Sequence, residues 1–222
     1  MNLQGVQVPS IKSRGYLVDV MLLTLIVKAT EKYAQDGMTV LDVGCGEKPY
    51  RNLFGNVEYV GIDVRKDSHA DVICDAKHLP FREGSFSICL SFQVFEHVDE
   101  PIPAVEEIFR VLSFNGFVFI SLPASWVIHG APNDYWRWTQ YGVKKLLEDF
   151  SLQELYRCRG SVASLIQTCE LFIPRKLKML IVLFNMLGIF LDKSVWLDKW
   201  FAQFDINYFA VAKKEENHEC KC

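Results

Sequence analysis

The decisive stretch is Val40-Leu41-Asp42-Val43-Gly44-Cys45-Gly46-Glu47-Lys48-Pro49-Tyr50. An apolar strand runs into two glycines one residue apart. Glycine there lets the backbone turn tightly and lets a ligand approach main-chain atoms with no Cβ in the way. Alone, a Gly-x-Gly also fits an ordinary strand-to-loop turn. Two later features add to it. Twenty-one residues beyond Asp42, the run Tyr59-Val60-Gly61-Ile62-Asp63 ends a second strand in a carboxylate. An acceptor-only group at that place suits a ribose diol. Then Asp71-Val72-Ile73-Cys74-Asp75-Ala76 ends a third strand in another acid. Asp also caps strand ends for purely structural reasons. Three acids in register after a glycine turn, Asp42, Asp63 and Asp75, point instead to a shared ligand at the carboxyl ends of parallel strands.

Outward from this core, short β-branched runs recur at 39–43, 57–62, 70–73, 86–91 and 116–121. Helix-like or loop segments separate them, the clearest at 102–112. Strands alternating with helices predict a parallel sheet with crossover helices. Upstream, 16–34 reads as an amphipathic helix ending near Asp36-Gly37. Downstream, a Pro/His/Trp-rich loop (123–138) leads to a helix (139–149) and a strand (152–157). A strongly apolar stretch (162–201) and a last strand (207–212) follow, before a charged tail expected to fray into solvent. The reading is one domain: an N-terminal helix (1–36), a ligand-binding core (37–160), an apolar helical insertion (161–206), and a last strand with its tail (207–222).

Half of the 222 residues are hydrophobic and 23% are charged, which excludes a disordered or low-complexity chain. At this size, folding buries roughly 70% of the unfolded surface, so a core forms without staples. With 24 Lys+Arg against 27 Asp+Glu, and the basic residues scattered, no broad surface for nucleic acid is expected. The seven cysteines show no zinc spacing. Cys45, Cys74, Cys89, Cys158 and Cys169 sit in contexts that suit buried reduced thiols, while Cys220 and Cys222 close the tail. The apolar run from Tyr16 to Val27 is interrupted by Asp19 and lacks a cleavage site, so no signal peptide is read and a cytoplasmic location is expected.

The loop argues against a dinucleotide. It lacks a third glycine, and Glu47 and Asp42 would face a diphosphate with like charge. A cationic sulfonium nucleoside suits the same groups better.

Here the sequence resembles the class I S-adenosylmethionine-dependent methyltransferases, and most of all methyltransferase family 11. Val40–Gly46, Tyr59–Asp63 and Asp71–Ala76 look like the family's glycine, ribose and adenine motifs. His78-Leu79-Pro80-Phe81 with Ser85–Ile88 resembles its "LPF…SFD" stretch, with Ser87 where Asp is usual. Phe95-Glu96-His97-Val98 resembles the "EHV" after strand four. Ile108–Gly116 resembles the "R-V-L-K-P-G-G" turn, with Ser113-Phe114-Asn115 replacing its centre. The likeness extends more loosely over His129–Phe150, which resembles a subgroup with a "P-x-D-Y-W-R-F-T" segment. It implies an α/β, Rossmann-like, mostly parallel seven-stranded sheet with one antiparallel strand near the C-terminus and helices on both faces. It also implies S-adenosyl-L-methionine as cofactor. Asp42, Gly44 and Gly46 would line its methionine part, Asp63 its ribose, and Asp75 and Ala76 its adenine, with Cys45 also among the cofactor-binding residues. Phe92 and Gln93 would flank the sulfonium.

Methyl transfer needs positioning, exclusion of water and, for a hydroxyl acceptor, a base. The base candidates are His97, His129 and Asp134, with a structural role as the alternative for each. The loop around Tyr135, Trp136 and Trp138 is either a substrate lid or packing for the core. No ligand cluster is legible, so no metal is expected. The acceptor class expected is a small molecule, a saccharide or a lipid-linked intermediate. The uncharged run Met179–Leu191 is too short for a membrane span, which needs ~20 residues. It reads as a buried helix or dimer surface. With Arg175, Lys176 and Lys178 before it and Trp196, Trp200 and Phe201 after it, an interfacial membrane patch over 175–201 is the alternative. Two other functions remain open here: a non-catalytic cofactor binder, and a nicotinamide-dependent oxidoreductase.

Overall fold

The computed structural model describes residues 6, 8–158, 161–174, 176–191 and 205–215. Its strands are β1 (Thr39–Val43), β2 (Glu58–Asp63), β3 (Val72–Ile73), β4 (Phe86–Phe92), β5 (Leu112–Pro123), β6 (Ser151–Arg157) and β7 (Asn207–Lys213). Its α-helices are α1 (Tyr16–Tyr33), α2 (Pro101–Val111), α3 (Gln140–Leu146), α4 (Ser161–Leu171) and α5 (Lys178–Leu191). All seven strands join one sheet in the order β3-β2-β1-β4-β5-β7-β6. Only β7 is reversed, since it pairs antiparallel with both β5 and β6. This is the Rossmann-like architecture expected from the sequence.

Period-two alternation sorts the core into two layers. On β7, Tyr208, Ala210 and Ala212 pack with Val105 and Ile108 of α2 and with Val143 of α3. Phe209 and Val211 face the other way, onto Leu22, Ile26 and Ala29 of α1. On β1, Leu41 and Val43 join the first layer and Val40 the second.

The sheet departs from the sequence reading at its ends. The edge strand β3 keeps only two of the four residues expected, as befits an exposed edge. β5 starts at Leu112 rather than Gly116, because Asn115 takes the left-handed conformation (φ 63°) and the chain stays paired. Asn115 N–H donates to the Lys214 carbonyl at 2.8 Å, and Lys214 N–H returns to the Gly116 carbonyl at 2.9 Å. Lys213 and Lys214 therefore do not fray. The buried Lys214 ammonium donates to the carbonyls of Phe109 and Leu112 at 2.8 and 2.9 Å, capping the C-terminus of α2. The rest of the expected tail, with Cys220 and Cys222, lies outside the described residues.

The apolar stretch forms α4 and α5. Ile181, Asn185 and Gly188 of α5 turn inward, and a Cβ at Gly188 would come within 2.4 Å of Leu17 on α1. The opposite face leaves Met179, Leu183, Met186 and Phe190 exposed, so the helix is buried on one side only. No helix among the described residues is long and apolar enough to cross a membrane. Arg175, Trp196, Trp200 and Phe201 lie outside those residues. Cys45 and Cys89 are buried free thiols, Cys158 is buried, and Cys74 is half-buried. Cys169, expected inside, is exposed on the outer side of α4.

Candidate active site

The connections diverge between β1 and β4, with β2 and β3 on one side and β5 on the other. Such a switch point leaves a crevice at the carboxyl ends of the strands. A cavity of about 670 Å³ opens there, within the size range of small-molecule sites. Its wall includes Gly44 after β1, Asp63 at the end of β2, Asp75 and Ala76 after β3, Gln93 after β4, and His97.

The glycine turn is shaped for close approach. Gly44 and Gly46 have φ of 72° and 51°, which non-glycine residues rarely adopt. The N–H groups of Gly44 and Cys45 both donate to the Ile62 carbonyl at 2.9 Å, locking the turn to β2. Gly46 N–H donates to Asp63 Oδ2 at 3.0 Å. Asp63 also accepts the Arg65 N–H at 2.9 Å and its guanidinium at 3.2 Å. Burial alone would raise this carboxyl, but the bonds from Arg65 and Gly46 outweigh it and hold Asp63 below the usual carboxylate range. The Arg65 side chain is 59% exposed, so a ribose diol can take its place on the carboxylate. Asp75, half exposed, accepts the Lys77 N–H at 2.9 Å. Gln93 is fixed in a left-handed conformation (φ 57°) by its side-chain bonds to Ser121 Oγ and Asn207 Oδ1 at 3.0 and 3.2 Å.

The expected three-acid convergence holds for Asp63 and Asp75 and not for Asp42. Asp42 shares its parity with Val40, so its carboxylate lies on the α1 face and meets the Tyr59 hydroxyl, 2.5 Å away. Burial pushes it up to about 7, against the pull of Tyr59 and Lys48. Phe92 has the parity of Ile88 and Leu90 and packs edge-on against Tyr50, with centroids 5.1 Å apart, away from the cavity. The Cys45 thiol tucks against Gly61, and burial pushes it up to about 12. Cys45 and Gly46 shape the turn rather than the cavity wall.

The loop after β5 is tied down at several points. Tyr135 N–H donates to the Glu96 carbonyl at 2.7 Å, and Trp136 Nε1 donates to the Val98 carbonyl at 2.8 Å. Trp138 packs on the core, while Tyr135 reaches the cavity wall. Arg137 grips both oxygens of Asp134 at 2.6 and 2.8 Å, and His129 N–H adds a third bond at 2.9 Å. These bonds, Arg137's above all, hold Asp134 far below the usual carboxylate range. A carboxylate so occupied is a poor base, so Asp134 is a loop clasp and not the proton acceptor the sequence allowed.

The sequence reading missed Glu96 as a partner of the two histidines. The rings of His97 and His129 meet edge-on with centroids 4.8 Å apart. The fully buried Glu96 carboxylate lies 3.9 Å from His97 Nε2 and 3.7 Å from His129 Nε2. Among the described residues neither of its oxygens has a hydrogen-bond partner, and burial holds it above the usual range. Two residues come from the turn after β4 and the third from the loop after β5, so no spacing rule joins them. The expectation that no ligand cluster exists is therefore corrected.

A nucleoside-sized cavity at a sheet switch point, with a glycine turn and strand-end carboxylates on its wall, defines a Rossmann-like nucleotide-cofactor enzyme. The sequence model of the methyltransferase domain family matches residues 41–120, and over these residues the chain carries a class I S-adenosylmethionine-dependent methyltransferase domain of the family 11 type. An uncharacterized methyltransferase of Mycobacterium sp. strain JLS is 34% identical over 106 residues, covering 42% of this chain and 42% of that protein. A tRNA (carboxymethyluridine(34)-5-O)-methyltransferase of Xenopus tropicalis is 32% identical over 95 residues, covering 38% of this chain and 15% of that protein. The match thus spans less than half the length of either relative. An N-methyltransferase of Haemonchus contortus, solved with phosphomonomethylethanolamine and S-adenosylhomocysteine, shares the fold with a TM-score of 0.59. It is 17% identical, over 88% of this chain and 53% of that one.

The donor set fits S-adenosylmethionine. Asp63 would offer its acceptor oxygens to the ribose diol, Asp75 and Ala76 would form an edge for adenine, and Gly44, on the same cavity wall, leaves the backbone open to close approach. A nicotinamide dinucleotide would need a diphosphate site that this turn does not offer.

Proposed function

We propose that this chain transfers the methyl group of S-adenosylmethionine to a hydroxyl oxygen of a small-molecule, saccharide or lipid-linked acceptor. One observation carries the reading: Asp63, Asp75 and His97 share one cavity, which Gln93 also lines. The bound cofactor supplies a methyl group on a good leaving group. Asp63 and Asp75 orient it, Gln93 and Val94 shape the passage, and the 123–138 loop closes the far side against water. His97, with Nδ1 held by the Asn133 carbonyl, keeps Nε2 as the basic atom beside the acceptor.

Calorimetry with S-adenosylmethionine, followed by labelled-methyl transfer to hydroxylated metabolites, sugars, lipid-linked sugars and tRNA, tests this. Transfer to a hydroxylated non-nucleic acceptor is expected, and His97→Ala should lower turnover more than cofactor affinity. Transfer to tRNA alone would move the acceptor to the class of the frog relative. Binding with no transfer would leave a cofactor-binding protein.

We also propose that the exposed face of α5 rests on an anionic membrane, which suits a lipid-linked acceptor and a cytoplasmic protein held peripherally. Its support is Met179, Leu183, Met186 and Phe190 on one side, with Lys176 and Lys178 at the helix start. Co-sedimentation with phosphatidylglycerol vesicles is expected, and Met179→Asp with Phe190→Asp should abolish it. Concentration-dependent dimers without vesicle binding would make the face a homodimer surface instead.

A further inference from the structure

We propose that Glu96, His97 and His129 form a binding site for a divalent transition-metal ion beside the active-site cavity, whose wall includes His97. His97 Nδ1 faces the Asn133 carbonyl, and His129 Nδ1 lies 3.2 Å from the Val127 carbonyl. Carbonyl oxygens only accept, so each Nδ1 carries the hydrogen and each Nε2 presents a lone pair. Both lone pairs lie near Glu96 Oε1, at 3.9 and 3.7 Å. Three acceptors thus face one another with no side-chain donor among the described residues.

A buried carboxylate without partners is costly and calls for a cation. Neither imidazole reaches hydrogen-bond distance of it, so a shared proton does not explain the geometry. The ligand atoms all lie within 4.8 Å of one another. Tetrahedral bonds to zinc would place them roughly 3.4 Å apart, so a bound ion would draw the carboxylate and the rings together. Two imidazoles and a carboxylate suit a first-row divalent ion and leave coordination positions open for a further ligand. The backbone is shaped for this meeting. Gly130, at φ 65°, passes so close to His97 that a Cβ would stand 2.9 Å from its Cε1.

This deepens the proposed transfer to oxygen and rests on it for its purpose. An ion here would hold the acceptor hydroxyl and lower its pKa, its proton leaving to solvent, in place of a free imidazole acting as base. Metal binding is measured without turnover, so the two readings fail separately. The chelator-stripped full chain is titrated with Co²⁺ and followed by its visible absorption. One equivalent is expected to bind, with no thiolate charge-transfer band. Glu96→Gln and His129→Ala should each weaken binding by at least about tenfold, while His69→Ala, Cys169→Ser and the Cys220→Ser/Cys222→Ser pair leave it unchanged. His129 sits on a half-exposed loop, so its variant decides the matter if Glu96→Gln does not fold. No saturable band, or one that survives the His129 and Glu96 replacements, would overturn the site.

Discussion

Gly44→Ala is expected to destabilise the protein by about 2–5 kcal/mol and to weaken S-adenosylmethionine binding at least about a hundredfold. Two costs add. The backbone at φ 72° is strained for any residue with a Cβ, by roughly 1–2 kcal/mol. That Cβ would also stand 2.4 Å from Val94 Cγ2, so Val94 must move. Val94 lines the cavity beside Gly44, and its displacement narrows the space the cofactor needs. Gly37 provides the control. Its φ is 82°, but nothing lies within 4 Å of its absent Cβ, so Gly37→Ala carries the backbone strain alone. Denaturant melts and calorimetry on both variants check this. Equal losses for the two, with cofactor affinity intact, would mean that Gly44 serves only the turn.

Asp63→Ala should weaken S-adenosylmethionine binding by about 1.5–3 kcal/mol, the range for hydrogen bonds to a charged group. The same change leaves Gly46 N–H and Arg65 N–H without their acceptor, so a stability loss of about 1–3 kcal/mol accompanies it. Asp63→Asn keeps acceptor oxygen but not charge, and should fall between. The pH dependence has a definite sign. The native carboxyl is held below its usual range, so its stabilising contribution is complete above the unfolded pKa. It is lost as pH falls through the native value. The Asp63→Ala penalty on stability is therefore largest at neutral pH and shrinks in acid. Unchanged affinity in Asp63→Ala would place the ribose elsewhere.

Much of the fold was legible because its signals are local. Apolar β-branched runs of the right length, broken by glycine and acid, mark β1, β2 and β4 whatever lies around them. The end of the chain was less legible. Lys214 reads as one more charge in a polar tail, yet it is buried as the cap of α2, because β7 carries it beneath that helix's last carbonyls. Likewise 113–115 reads as a free turn and is paired, because the partner that pairs it arrives about a hundred residues later.

From its order of residues alone, this chain determined a parallel sheet, a glycine turn, and Asp63 and Asp75 at strand ends, since backbone periodicity and conformational freedom are properties of short segments. Only the tertiary structure decided which face each strand residue serves, and so sent Asp42 to Tyr59 and Phe92 to Tyr50. It alone converted Asp134 into a clasp and brought His129 against Glu96 and His97. Such meetings depend on where two distant loops cross over an open sheet, and through-space distance is not written in any local pattern.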